Sequence, residues 1–310
     1  MARRDAVSKP NYYHRRPFRI NFTQVSVHTF LILLALACFL PFLLVLSSSL
    51  SDERAVLDYG YRFFPKDFSL DAYKVIFSDP RQILNSYRVS IVVTVVGTTL
   101  GLLMTSALAY VISRKNYWLR KPISFLVFFT MLFNGGIVPL YILITRYLQL
   151  RDTLWALILP AMVAPFFVLL LRTYFAGLPE ELLDAARIDG AGEFRIYWMI
   201  AMPLAKPALA TVGLFYVLGY WNDWYSALLF IDRRDELVPL QYMLYKIMAN
   251  LQVITSLRNT ILLDIPQVPL MTIRMAMAIV AAGPVTIIFL LLQKYFVQGL
   301  TIGAFKGGGE

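Results

Sequence analysis

The sequence predicts an all-α integral membrane protein with six transmembrane helices, and three observations carry that prediction. Apolar residues make up 58% of the 310-residue chain and charged residues only 15%, with a mean hydropathy of +0.62. A soluble domain of this size has no use for so much apolar surface. The apolar residues gather into six runs, each long enough to cross a hydrocarbon layer of roughly 30 Å. The basic residues behind the net charge of +10 cluster between those runs, as in membrane loops, rather than in the single stripe a nucleic-acid surface needs.

In chain order, residues 1–27 form a basic tail, with Arg3, Arg4, Lys9, Arg15, Arg16 and Arg19 against Asp5 alone. The next apolar run is too long for the core of a signal peptide, so the tail reads as a solvated cytoplasmic segment that sets orientation. Thr29–Leu50 is the first span, with Pro41 as a possible kink, and 51–88 is too polar to be embedded. Val89–Ile112 is the second, rich in small residues (Gly97, Gly101, Ser106, Ala107, Ala109) that let helices pack closely in lipid. A basic turn follows with Arg114, Lys115, Arg120 and Lys121.

Pro122–Thr145 is the third span, interrupted by Asn134-Gly135-Gly136 and Pro139, and Thr153–Leu171 the fourth, with Pro160 and Pro165. Pro207–Ile231 is the fifth and contains Trp221-Asn222-Asp223-Trp224-Tyr225. In the polar connection that follows, Leu240, Met243, Leu244, Ile247, Leu251 and Ile254 keep helical spacing. Met275–Gln293 is the sixth span. The six-span domain is bounded at 28–296, with a short tail over 297–310, and both termini fall on one side.

Residues 178–204, between spans four and five, are neither apolar nor featureless. Pro179 suits a first helical turn, Glu180 and Glu181 complement the amino end of a helix dipole, and Gly190 terminates that helix. A second short helix from about Gly192 to Met202 precedes Pro203. The spacing predicts a helix–glycine–helix hairpin on the membrane surface, with Leu182, Ala185, Ala186 and Asp189 on one side.

Asp184-Ala185-Ala186, Gly190, Ile200, Met202 and Pro203 resemble the Glu-Ala-Ala loop of ABC importer permeases, with Asp184 for the usual Glu and Met202 for the usual Leu. The resemblance implies that this loop docks into a cleft on a cytoplasmic ATPase, with Glu181, Asp184, Ala185, Ala186, Asp189, Gly190 and Pro203 as coupling residues. Asn134-Gly135-Gly136 to Pro139, Trp155-Ala156 to Pro160, Trp221-Asn222-Asp223 and the C-terminal Gln293 to Gly307 stretch are similar to carbohydrate-type permeases of the maltose G-subunit, MetI-like group. They stand nearest the lipoprotein-associated branch thought to import polysaccharide fragments. The implied fold is that of a type I ABC importer permease, in the bacterial cytoplasmic membrane. The implied partners are a second homologous permease, two ATPase subunits, an extracytoplasmic binding protein and an oligosaccharide. Gly299, Thr301 and Gly303 would contact the ATPases.

Asn134, Gly135 and Gly136 read as a pathway bend or as a helix-packing site, since irregular backbone at membrane depth must face protein or water. Trp221, Asn222 and Asp223 read as cavity-lining groups suited to sugar rings, or as an interfacial aromatic belt with a capping carboxylate. No P-loop (G-x-x-x-x-G-K-[S/T]) occurs, so ATP and Mg belong to a partner and this chain is a transport subunit rather than an enzyme. Two histidines and the single Cys38 give no metal-site spacing. The rival classes are a permease for another small solute, a gradient-driven secondary transporter with inverted repeats, and a membrane-embedded enzyme with clustered carboxylates or histidines.

Overall fold

A computed structural model describes residues 22–261 and 269–305. The basic tail expected up to residue 27 lies outside the described residues as far as Asn21; the first helix begins within it.

Helix α1 (Phe22–Ser49) carries the first apolar run straight through Pro41. The polar segment after it folds into α2 (Glu53–Tyr59) and α3 (Asp71–Ile76). Helix α4 (Pro80–Ser113) starts well before Val89, where the apolar run begins. Asp79 Oδ1 accepts the Gln82 N–H at 3.1 Å and Pro80 occupies the first turn, so local capping extends the helix through Arg81 and Arg88. The third run is two helices, α5 (Arg120–Leu132) and α6 (Ile137–Ile142), the latter prolonged by a π turn to Tyr147 and bent 111° from the former. The fourth is α7 (Leu154–Ile158), a 3₁₀ turn through Ala161, and α8 (Pro165–Ala176), with a 50° bend.

Helices α9 (Glu180–Ile188), α10 (Glu193–Ile196) and α11 (Met202–Leu204) form the predicted hairpin, and its second arm leaves α12 (Lys206–Asn222) at 81°. Pro203 lies inside that arm instead of ending it. A proline crowds the carbonyl four residues back, here Met199, and the π turn Tyr197–Ala201 opens the helix there. The fifth span also stops early: α12 ends at Asn222 and α13 (Tyr225–Phe230) starts afresh. Helix α14 (Leu240–Ile261) realises the predicted amphipathic spacing, burying Leu240, Met243 and Leu244. Helix α15 (Leu270–Phe305) runs through the expected boundary at 296 without a break. With each bent pair counted once, up to six elements among the described residues are long and apolar enough to cross a membrane.

The core is built on α4, which packs against α12, α8, α5 and α14, whereas α1 lies against α15. Glycines on α4 receive tyrosines from α12: a Cβ at Gly97 would sit 2.6 Å from the Tyr220 ring, and one at Gly101 would sit 3.1 Å from that of Tyr216. The close approach puts both hydroxyls against the unwound stretch of the fourth span. Tyr220 Oη donates to the Ile158 carbonyl (2.9 Å), and Tyr216 Oη bonds the Met162 carbonyl (3.1 Å), the Ala164 N–H (3.2 Å) and Thr105 Oγ1 (2.7 Å). Broken backbone at membrane depth survives only when its polar groups find such partners.

The same logic governs α15. Pro284 has no N–H to give the Val280 carbonyl; Tyr87 Oη donates to it instead at 2.9 Å, and Trp221 Nε1 donates to the next carbonyl, Ala281, at 3.0 Å. At its start, α15 is capped from outside: the Glu53 carboxylate accepts the Met271 and Thr272 N–H groups and Thr272 Oγ1, each at 2.9 Å.

Candidate functional site

The hairpin begins where Pro179, with no N–H to leave unsatisfied, turns the chain into α9, whose first turn holds Glu180 and Glu181 and whose last holds Arg187. Those charges match the helix dipole at both ends. Gly190 stops the helix at φ +79°, and the Ala191 N–H reaches back to the Ala186 carbonyl (2.9 Å) while the Gly190 N–H reaches Arg187 (3.0 Å). This is a Schellman turn, with Ala186 and Ala191 both on the core side. The predicted single face therefore divides. Leu183 (1% exposed) and half-buried Ala186 anchor the hairpin to the hydrophobic core of the helix bundle, whereas Leu182, Ala185 and Asp189 face outward. Glu181 and Asp184 are exposed as well, and Ile188 and Phe194 stand out at 86% and 77% exposure. The result is an apolar surface rimmed by carboxylates.

An ionic cluster that the sequence reading missed ties this hairpin to the spans. Glu193 accepts from Tyr110 Oη of α4 at 2.9 Å and pairs with Arg187, whose other contact is Asp184 at 2.7 Å. Hydrogen bonding to Glu193, and then to Asp184, holds the Arg187 guanidinium more firmly protonated. Lys115 reaches Glu180 at 3.1 Å, and Arg114 donates to the Phe175 carbonyl at 2.6 Å while lying over the Tyr110 ring. Tyr110, Arg114, Asp184, Arg187 and Glu193 line a cavity of ≈ 610 Å³ at the root of the hairpin. The only local signal for this was Glu193 in the first turn of the second arm; Tyr110 is too distant in sequence to have been paired with it.

The pathway candidates fare differently. Asn134 Oδ1 accepts the Gly136 N–H at 2.9 Å and Gly136 adopts φ +88°, which makes the bend between α5 and α6; Asn134, Gly135 and Gly136 are all exposed. Trp221 lines no open surface. It is 2% exposed, because its ring fills the α12–α15 contact and its N–H serves the Ala281 carbonyl. Asp223, half-buried, accepts the Ser226 N–H at 3.0 Å in the first turn of α13, the capping contact that was one of its two readings. Asn222 is exposed and accepts from Gln241 Nε2 at 3.3 Å. Beside it Trp224 stacks on Tyr245 at 4.5 Å between ring centres. Gln241 and Tyr245 went unnoticed in the sequence, although their spacing of one helical turn opposite the apolar stripe of α14 was the available signal. Gly299, Thr301 and Gly303 fall in the last turns of α15, and their contacts lie outside the described residues.

A bundle of helices long and apolar enough to cross a membrane, three pairs of them bent at short breaks, with a hairpin that exposes an apolar face, is the architecture of a polytopic membrane protein. The comparisons narrow this further. Residues 97–302 match the model of the binding-protein-dependent transport system inner membrane components, and the chain belongs to that family. It is 40% identical to Protein LplC of Bacillus subtilis over 268 residues, 86% of this chain and 89% of the relative. It is 37% identical to the polygalacturonan/rhamnogalacturonan transport system permease protein YtcP of the same organism, over 91% of this chain and 97% of that one. Among solved structures it is similar to a bacterial ABC transporter involved in the import of the acidic polysaccharide alginate, with a TM-score of 0.73, 30% identity, and coverage of 88% of this chain and 96% of the other.

Proposed function

We propose that the chain is one transmembrane subunit of an ATP-driven importer for an oligosaccharide, working with a second permease, two ATPase subunits and an extracytoplasmic binding protein. The exposed apolar face of the hairpin carries this reading: Leu182, Ala185, Ile188 and Phe194 are all exposed, with the Phe194 ring touching Trp198 of its own arm, and together they suit a protein cleft. With the basic tail and the 113–121 turn cytoplasmic, the hairpin meets the ATPases, and both termini lie inside. Closure of the ATPases on ATP and Mg, which they hold, displaces the hairpin. The Glu193–Tyr110 and Glu193–Arg187 contacts pass that displacement to α4, and alternate inward- and outward-facing arrangements follow from which state the partners stabilise. The saccharide reading rests on the relatives named above and on the Asn222–Gln241 and Trp224–Tyr245 surface, which offers amide groups to hydroxyls and aromatic faces to sugar C–H.

The test is uptake by the complete complex in liposomes, with labelled pectin- and alginate-derived oligosaccharides and amino acids supplied in parallel. ATP-dependent accumulation of a saccharide only with binding protein present is expected. Accumulation of amino acids alone would overturn the substrate class, and ATP-independent uptake driven by an ion gradient would overturn the transporter class.

A further inference from the structure

On the hairpin side of the bundle, the turn between α4 and α5 and the end of α8 enclose a cavity of ≈ 670 Å³ lined by Lys115, Trp118, Arg120, Lys121, Ser124 and Arg172. Four cations face one concavity. Lys115 pairs with Glu180, but Arg120, Lys121 and Arg172 make no ion pair among the described residues. Arg120 and Lys121 also stand in the first turn of α5, a helix with no acidic residue in that turn and no side-chain cap. The positive end of the α5 dipole adds to theirs, although the Arg120 N–H is taken by the Tyr117 carbonyl (3.1 Å) and Pro122 has no N–H to offer. Ser124 adds a buried hydroxyl without a hydrogen-bond partner among the described residues.

What surrounds the cations indicates which anion. Trp118 is 82% exposed beside them, and one turn further along α5 the surface becomes wholly apolar, with Phe125 and Leu126 at 67% and 62% exposure. A charged mouth, an amphipathic indole and an apolar wall in that order follow the profile of a bilayer from headgroup to acyl chain. A free phosphate would use only the mouth, and a docking protein would not need the apolar wall beside it.

We infer that this cavity binds the phosphodiester headgroup of an anionic phospholipid, with the acyl chains lying along Phe125, Leu126 and Phe129 of α5. The phosphate sits among Arg120, Lys121 and Arg172. The site is independent of the transported solute.

The experiment is native mass spectrometry of the whole transporter complex released from nanodiscs of phosphatidylcholine containing phosphatidylglycerol. The wild type is expected to retain phosphatidylglycerol in preference to phosphatidylcholine. The variant Arg120→Gln/Lys121→Gln/Arg172→Gln should lose that preference on the order of 100-fold, at about fivefold per cation. The charge-conserving Arg120→Lys/Lys121→Arg/Arg172→Lys should keep most of it. If the triple Gln variant fails to assemble, the single variants Arg120→Gln and Arg172→Gln supply the test, each with about a fivefold loss. Equal retention by the Gln variants, or no retained lipid in the wild type because a partner subunit covers the cavity, would overturn the proposal. Displacement of the lipid by millimolar inorganic phosphate would assign the cavity to a free anion instead.

Discussion

Gly97→Ala is the substitution whose outcome the structure fixes most tightly. The new methyl carbon would lie 2.6, 2.7 and 2.8 Å from Cζ, Cε2 and Cε1 of Tyr220. Carbon atoms rest at about 3.5–4.0 Å, so the ring must retreat by roughly 1 Å. That retreat is resisted, because Tyr220 Oη is committed to the Ile158 carbonyl at 2.9 Å and a further ångström takes the bond beyond hydrogen-bonding range. Overpacking of this kind costs about 1–3 kcal/mol, and loss of a hydrogen bond between membrane helices adds roughly 0.6–1.7. The sum is about 2–5 kcal/mol. Gly219 on α12 is the control: a Cβ there meets nothing within 4 Å, so Gly219→Ala should be neutral or stabilising by up to ~1 kcal/mol through the unfolded state. The assay is thermal unfolding of the assembled complex in nanodiscs, followed by tryptophan fluorescence. Gly97→Ala should unfold several degrees below wild type while Gly219→Ala does not. Equal stability of the two would refute the claim that α4 and α12 meet with no space to spare.

Three further predictions follow from named contacts. Tyr87→Phe deprives the Val280 carbonyl of the donor that replaces the N–H Pro284 lacks, and should cost roughly 1 kcal/mol in the same assay; in a Pro284→Ala background the cost should vanish, because the helix then supplies its own donor. Asp152 holds the turn before α7 against 232–233, and the Asp232 N–H foremost, then that of Arg233 and the charge of Arg151, keep its carboxyl below the usual carboxylate range. A depressed pKa contributes stability at pH above about 3.9 that fades as pH falls through the lower folded value, so Asp152→Asn should flatten the acid limb of a stability–pH profile. Glu193→Gln keeps the shape of the side chain and removes its charge. The Glu193–Arg187 pair is exposed in the free chain, so stability should change little, whereas the ratio of ATP hydrolysed to solute moved should rise when docking buries the cluster.

Much of the architecture was legible because it is written locally. The six apolar runs, the glycine turn at Gly190, the break at Asn134–Gly136 and the amphipathic stripe of α14 are each set by neighbours within one or two turns. What escaped depended on residues distant in sequence or on competing local signals. Nothing near Gly97 announces Tyr220, and nothing near Glu193 announces Tyr110. Asp223 reads alike as a cap or a cavity group until the chain is seen to break at Asn222. The early start of α4 was visible in Asp79-Pro80, but the flanking arginines outweighed it. Ala186 seemed equivalent to Ala185 because helical spacing gives a side but not which part of it the core claims.

The central claim is that the 178–204 hairpin transmits ATP hydrolysis to the membrane helices, and Ala185→Asp tests it most directly. Ala185 is exposed on the outward face, so the new carboxylate is harmless to the fold but is buried without a partner once an ATPase docks, at several kcal/mol by general experience with unpaired buried charge. The measurement is ATP hydrolysis by the purified complex in liposomes, with and without binding protein and saccharide. The account predicts normal membrane insertion, loss of the ATPase on purification, and loss of binding-protein stimulation in whatever complex remains. Wild-type stimulation by Ala185→Asp would contradict it.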